Sequence, residues 1–296
     1  MRLRADLVLL LVAALWGSAF VAQRAAGLLG SVYVFNAMRF LLAGALLLPF
    51  VLRSRLRRGQ LWWMCAAGTV LFLASALQQA GIRSTSAGNA GFLTSLYVVL
   101  VPIILFLVWR ERLQPRSIVA VGLAAIGAYL LSAAGPMGMN AGDLLQLGGA
   151  GLWALHVVLL GKFAFRYDAV AFSAGQLLIG GGLSWAGSAI LEPPTFPLPP
   201  TLVHAILYTA VVSLGLGYTL QIWGQRHTPP TDAALILSLE SVFAALGGAI
   251  ILKERYAPIQ IVGCAVIIIA VLLSQVRASS KISVTTDGLQ RTSGEP

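Results

Sequence analysis

Charge is what this sequence has least of. Only 10% of its 296 residues are Asp, Glu, Lys or Arg, against 58% hydrophobic ones, whereas soluble domains carry about 25% charged residues. A soluble core of this length needs far more polar surface, so the composition makes the bilayer the natural solvent. Cysteine is nearly missing. Cys65 and Cys264 both sit in apolar runs with no metal-ligand spacing around them, and read as small buried hydrophobes. His156, His204 and His227 have no paired ligand spacing, and no Gly-x-Ser-x-Gly, P-loop or zinc pattern occurs. Nothing here supports an enzyme, a metal site or a cofactor. The net charge of +10 would suggest nucleic acid if it formed a continuous patch. The basic residues instead sit in short turns between apolar runs, so no nucleic-acid partner is expected.

Long apolar runs are what the sequence has in abundance. A bilayer core needs about 20 apolar residues per helix, and ten such runs can be drawn. The first five are Ala5–Gln23, Val32–Leu52, Leu61–Gly81, Ala87–Trp109 and Arg116–Ala134. The second five are Leu144–Phe163, Ala169–Leu191, Leu202–Gln225, Ala233–Leu252 and Ile259–Val276. Met1-Arg2-Leu3-Arg4 before the first run has the form of a signal peptide, but that run belongs to the repeat below and reads as a span.

The chain says nearly the same thing twice. Arg110-Glu111-Arg112-Leu113-Gln114-Pro115 matches Lys253-Glu254-Arg255-Tyr256-Ala257-Pro258 at an offset of 143, as do Gln78 with Gln221, Arg83 with Arg226 and Leu96 with Leu239. Leu15-Trp16 matches Leu152-Trp153 at an offset of 137. The six extra residues of the second copy fall between Gln176 and Gln221, where the proline-rich loop Glu192–Pro200 accounts for them. The expected division is residues 1–135 for one repeat, 136–277 for the other, and a polar tail over 278–296. The glycine-rich Gly135–Gly142 stretch joins the halves.

Basic residues set the orientation. With the N-terminus inside, the inner turns and tail hold 15 Lys or Arg and the outer turns hold Arg24, Arg83, Lys253 and Arg255. Dropping the tail's Lys281 and Arg291 still leaves 13 against 4. Both termini are expected in the cytoplasm. Five spans per copy then invert one copy against the other, and the two Glu-containing motifs face opposite sides. As local chemistry, basic residues suit a helix C-terminus and Pro115 and Pro258 suit the first turn of a helix. The motif reads as a helix stop and interfacial anchor, with locally paired Glu111 and Glu254; a gate is the alternative.

Candidate site residues are polar groups that lipid would penalise. Glu240, mid-way along the ninth run, costs about 2.5–3.5 kcal/mol on insertion scales; its counterpart is Tyr97. It serves either a substrate amine or a proton, or else it is paired, with Arg39 as the available partner. Arg39, whose counterpart is Gln176, is either structural or binds a substrate carboxylate. Ser75, Gln78 and Gln79 share one helix face, and Tyr218, Gln221 and Gln225 another. Trp16 and Trp153 are a matched pair away from the interfaces where Trp anchors. His156 lies one turn from Trp153, and Phe20 and Gln23 continue the face of Trp16, giving an aromatic cavity wall or core packing. Ala13-x-x-x-Gly17, Ala87-x-x-x-Gly91, Ser213-x-x-x-Gly217 and Ala244-x-x-x-Gly248 allow close helix contacts.

These features resemble the drug/metabolite transporter superfamily, in its EamA branch. The resemblance spans Leu7 to Ser274. It rests on Leu15-Trp16-Gly17-Ser18-Ala19-Phe20, Arg39-Phe40, Leu239-Glu240-Ser241-Val242-Phe243-Ala244-Ala245 and the two closing Glu-Arg-x-x-Pro elements. Ser241 stands where many relatives carry proline. The resemblance implies an all-α integral membrane protein: ten helices in two inverted repeats around a central cavity, working by alternating access in a bacterial inner membrane. It implies export of amino acids, including aromatic ones, or similar small metabolites. The cargo would meet Trp16, Gln78, Tyr97, Trp153, His156, Tyr218, Gln221 and Glu240, with Arg39 as a further binding or structural charge. The partners expected are a small-molecule substrate and membrane lipid, and a monomer is compatible with the sequence. A cation exporter of the same fold and a non-transporting scaffold or receptor are the competing readings.

Overall fold

The structure is a computed structural model that describes residues 1–51, 57–112, 114–132, 140–192 and 197–275. Arg53 and Arg55, most of the Gly135–Gly142 linker, the centre of the proline-rich loop and the tail lie outside the described residues. Thirteen α-helices are present among them: α1 (Arg2–Gly27), α2 (Val32–Val51), α3 (Gln60–Gly81), α4 (Ala87–Ser95), α5 (Tyr97–Trp109), α6 (Pro115–Ser132), α7 (Ala141–Lys162), α8 (Ala169–Leu191), α9 (Pro200–Tyr208), α10 (Gly217–Gln225), α11 (Pro230–Leu237), α12 (Glu240–Ile251) and α13 (Pro258–Gln275). A π-helix, Thr209–Leu216, joins α9 to α10. Eight spans are long and apolar enough to cross a bilayer, and Pro115–Leu130 and Pro258–Leu273 are shorter apolar helices. The ten expected segments are thus present, as two inverted five-span repeats. The face where α1 begins is called here the terminal face, and the other the distal face.

Each copy packs against the other. Helix α2 lies along α8 and α6 along α13, each against its own counterpart, while α1 packs on α10 and α12, and α7 on α3 and α5. Small residues make the closest approaches possible. A Cβ on Gly17 would lie 2.3 Å from Phe243 Cβ and 2.7 Å from the Glu240 carbonyl, and one on Gly91 would lie 2.8 Å from Ala244 Cβ. Without a solvent-driven force between helices in lipid, such contacts hold the spans together.

Two expectations are corrected here. The fourth and ninth runs are not continuous helices. They break at Leu96 and at Ser238–Leu239, equivalent positions in register. The same bond accompanies the break in both copies: the Ser95 hydroxyl donates to the Phe92 carbonyl and the Ser238 hydroxyl to the Leu235 carbonyl, at 2.8 and 2.7 Å. Such bonds compete with the helix ladder and bend it. Ser241, in the proline position of many relatives, adds a 2.8 Å bond to the Ser238 carbonyl. Secondly, the loop is not the whole source of the six extra residues. Position 203 is the register equivalent of Gln60, yet α9 begins at Pro200, so part of the insertion lengthens the eighth span, the one containing the π-helix.

The repeated motif is a structural junction in both copies. Arg110 and Lys253 cap their helices in the left-handed region, φ 58° and 59°, where glycine is usual. The next amide folds back identically, Glu111 to the Leu105 carbonyl at 3.3 Å and Glu254 to the Gly248 carbonyl at 3.0 Å. The glutamate side chains reach other helices, and only Glu254 also pairs within its own motif. Glu111 takes Lys162 of α7. Glu254 caps α4, accepting from the Ala87 and Gly88 amides at 3.0 and 3.4 Å, and binds the Tyr256 hydroxyl at 2.5 Å. The α7 helix starts at Ala141, three residues before the expected Leu144, because Asn140 and Asp143 form a capping box.

Candidate functional site

The breaks in spans four and nine meet at the centre of the bundle. Tyr97 and Glu240 are the first residues after them, one on α5 and one on α12. Broken helices of this kind place backbone ends and polar side chains at mid-membrane, and the positive end of α12 favours a carboxylate at Glu240. Both side chains line a cavity of about 40 Å³. All eight residues expected to meet a cargo line it, and so do Arg39, Phe20, Gln23 and Ser75. Gln79 and Gln225 do not. Their amides are spent on the Gln23 and Val157 carbonyls, each at 3.0 Å. Thr94 and Ser213 were not foreseen as lining residues. Thr94 stands one turn before Tyr97, a spacing legible in the sequence, whereas the π-helix changes the phase of Ser213.

The aromatic walls are held by hydrogen bonds. Trp16 donates to the Ser213 carbonyl at 2.9 Å and Trp153 to Gln78 Oε1 at 2.7 Å. Gly217 makes room for the first of these, since a Cβ there would lie 2.7 Å from Trp16 Nε1. Tyr218 tilts against Trp16 with ring centroids 5.2 Å apart, and His156 packs edge-on between Trp153 and Tyr218 at 5.8 and 5.5 Å. His156 Nε2 lies 3.0 Å from Gln176 Oε1.

The matched glutamines differ in kind. Gln78 is saturated: its Nε2 donates to Gln23 Oε1 at 3.0 Å, its Oε1 accepts from Trp153, and its carbonyl accepts from Gln146 at 2.9 Å. Gln221, 0% exposed, has no partner on either amide atom. Gln60, Gln79, Gln176 and Gln225 also carry one unpaired atom each, but each is anchored through its other amide atom. Among the described residues, only Gln221 is a buried side-chain amide with neither atom paired.

The charges follow the same division. Glu240 and Arg39 are each 3% exposed on the cavity wall. Among the described residues neither belongs to an ion pair, so pairing them with each other is ruled out. Arg39 is steadied by Asn36 Oδ1 at 3.0 Å and by the rings of Phe35 and Phe40, 4.8 and 5.1 Å from the guanidinium; Asn36 in turn donates to the Ser75 carbonyl at 3.1 Å. Glu240 Oε1 and the Tyr97 hydroxyl are buried and adjoin each other closely enough to interact, and neither makes a well-formed hydrogen bond elsewhere. A carboxylate at mid-membrane normally faces a partner or a cavity, and this one has the cavity.

This two-copy arrangement coincides with a known family. The model of the EamA-like transporter family matches residues 3–133 and again 140–275. The chain belongs to the EamA-like transporter family. An uncharacterized transporter of Archaeoglobus fulgidus is 36% identical over 276 residues, 93% of this chain and 87% of that one. The threonine/homoserine exporter RhtA of Escherichia coli K12 is 28% identical over 182 residues, 57% of this chain and 58% of its own. A solved structure titled only as the crystal structure of a protein superposes with a TM-score of 0.78 over 92% of this chain and 98% of that one, at 20% identity, which fixes the fold alone. The protein is a multi-pass membrane transporter.

Proposed function

We propose that this transporter exports amino acids or similar small zwitterions across a bacterial inner membrane. The observation that carries the reading is the fully unpaired Gln221 amide, together with a Glu240 that has no cationic partner among the described residues, on a cavity wall that also holds Arg39. Leaving one such group unsatisfied costs about 1–3 kcal/mol, and more for a charge. A cargo with an ammonium and a carboxylate supplies what each lacks. Its ammonium goes to Glu240 and its carboxylate to Arg39. Gln221 gives neutral hydrogen bonds, and Trp16, Trp153 and Tyr218 enclose the side chain. Gln78 shapes the wall through Trp153. The likeness to a threonine/homoserine exporter supports this class without fixing the member, and the aromatic walls keep aromatic amino acids in the panel.

A cation exporter would also use Glu240 and the aromatic faces, but it has no use for Arg39 in the same cavity. Counterflow of a panel of radiolabelled amino acids in proteoliposomes tests the proposal. Flux of at least one amino acid, resistant to lipophilic cations and lost in Glu240→Gln, is expected. Competition by such cations with no amino acid flux contradicts it. The terminal face is read as cytoplasmic from the basic residues of the turns. The four basic residues on the other side include Arg24 and Arg83, which are tied to helix-end carbonyls: Arg24 to those of Ile82 and Arg83, and Arg83 to those of Gly27 and Gly30. A C-terminal reporter active only outside the cytoplasm tests the orientation and must stay silent.

A further inference from the structure

Helices cross closely at both ends of the bundle, and the crossings occupy equivalent positions of the two copies. On the distal face, the ends of α3 and α7 meet at Gly81 and Gly142; a Cβ on Gly81 would lie 2.6 Å from the Gly142 carbonyl and 3.1 Å from Gln146. On the terminal face, α10 meets α1 at the register equivalents. A Cβ on Gly224 would lie 3.5 Å from the Ala5 carbonyl and 2.8 Å from Leu9. Offsets of 143 and 137 convert each first set into the second.

A polar cluster sits at each crossing, again in register. On the distal face Asn89 Nδ2 bridges two oxygens, Thr85 Oγ1 at 2.6 Å and Asp143 Oδ1 at 3.0 Å. The equivalent terminal-face residues are Thr228, Asp232 and Asp6. Thr228 donates to Asp6 at 2.7 Å. Asp232, however, stands where Asn89 stands, and an ionised carboxylate has no donor to offer Asp6. Arg2 fills the gap. Its guanidinium binds Asp232 through Nη2 and lies 3.7 Å from Asp6 through Nε. The sequence partner of Arg2 in the other copy is Met139, which carries no charge. Two differences between the copies therefore compensate each other: an amide has become a carboxylate, and a methionine has become an arginine.

We infer that these clusters are the two gates of the transport path, and that the terminal gate is latched by Arg2 holding Asp6 and Asp232 together. The distal gate needs no cation, because Asn89 supplies the bridging N–H groups itself. The inference goes beyond the cargo reading and is independent of which molecule is carried. Removing Arg2 takes away the cation that joins the two carboxylates, although Arg116 lines the same terminal-face pocket as Arg2 and Asp6. Converting Asp232 to an amide as well recreates the distal arrangement and restores the closure.

The test follows labelling of a cavity cysteine. In full-length protein with Cys65 and Cys264 replaced by alanine, Ser75→Cys is placed on the cavity wall. Its reaction rate with a membrane-impermeant maleimide is read from each face in vesicles of defined orientation. The parent reacts slowly from both faces. Arg2→Gln raises the rate at least threefold from the terminal face alone, and Asn89→Asp does so from the distal face alone. Asp232→Asn by itself leaves the rate unchanged, and Arg2→Gln with Asp232→Asn returns it to that of the parent. The single Asp232→Asn variant keeps the test decisive should Arg2→Gln fold poorly, because a rate increase there overturns the latch. Failure of the double variant to restore slow labelling, or equal labelling of Arg2→Gln and the parent, overturns it too. Loss of amino acid flux with this pattern intact would remove the cargo reading alone.

Discussion

The two copies of the repeat agree in how they are built and differ in what they offer a cargo. Equivalent helices break just after Ser95 and at Ser238, each serine bonded to the carbonyl three residues before it, and Arg110 and Lys253 end equivalent helices in the same left-handed turn. The residue after each break is Tyr97 in one copy and Glu240 in the other. Gln78 is spent on neighbours while Gln221 is left free, and Arg39 opposes a Gln176 that serves His156. Duplication supplies a scaffold whose identical parts maintain the fold. Identical positions such as Trp16 and Trp153 line the cavity too, but the charges and the free amide on its wall come from positions where the copies differ in residue or in pairing.

The largest effect is expected where the asymmetry is a charge. Glu240→Gln keeps the size and hydrogen-bonding capacity of the side chain and removes its negative charge. Initial counterflow rates should fall by at least tenfold with normal protein in the membrane; an unchanged rate breaks the comparison at its main point.

The glutamine pair gives a double dissociation of smaller size. Gln78→Leu removes two side-chain hydrogen bonds that tie α3 to α1 and α7, worth about 1 kcal/mol each, so thermal melting in detergent should move down. Gln221→Leu removes an amide already unpaired, so melting should hold or rise, while the half-saturating cargo concentration rises several-fold. Equal behaviour of the two variants in both assays means that the copies are interchangeable here.

The glutamates of the repeated motif should also separate. Glu254 neutralises two amides at the start of α4, a contact of about 1 kcal/mol, whereas Glu111 makes a half-exposed pair with Lys162 worth less than about 1 kcal/mol. Melting should therefore fall more for Glu254→Ala than for Glu111→Ala.

The smallest effect is a pH dependence at the distal face. Burial raises the Glu192 pKa, but bonds from Ser31 and the Val32 amide, together with Arg83, outweigh it and hold the carboxyl below the usual glutamate range. A lowered folded pKa gives stability that is present above the ordinary value, about 4.3, and lost as the pH falls through the folded one. Melting should therefore drop on acidification below about pH 4, and Glu192→Gln should flatten that part of the curve. An identical curve for the variant removes Glu192 as the source of the acid-induced loss.

Much of this was legible in the sequence because lipid simplifies the code. Apolar runs marked the ten spans, the register of the repeated motif aligned the copies, and the costliest polar residues pointed to the cavity. The breaks at Leu96 and Leu239 were not legible as breaks, since serine bonding to its own helix leaves no gap in hydropathy. Nor was the difference between Gln78 and Gln221. It depends on whether an indole from another helix reaches the amide, which spacing within one helix does not encode.

Counterflow of radiolabelled threonine and a panel of other amino acids by wild-type, Gln78→Leu and Gln221→Leu protein, normalised to folded transporter, tests the central claim most directly. The account predicts that Gln221→Leu shifts the half-saturation of whichever cargo is carried several-fold and that Gln78→Leu, which acts only through Trp153, shifts it distinctly less. The reverse order, or an equal shift in both, would contradict the claim that cargo recognition lies where the two copies differ.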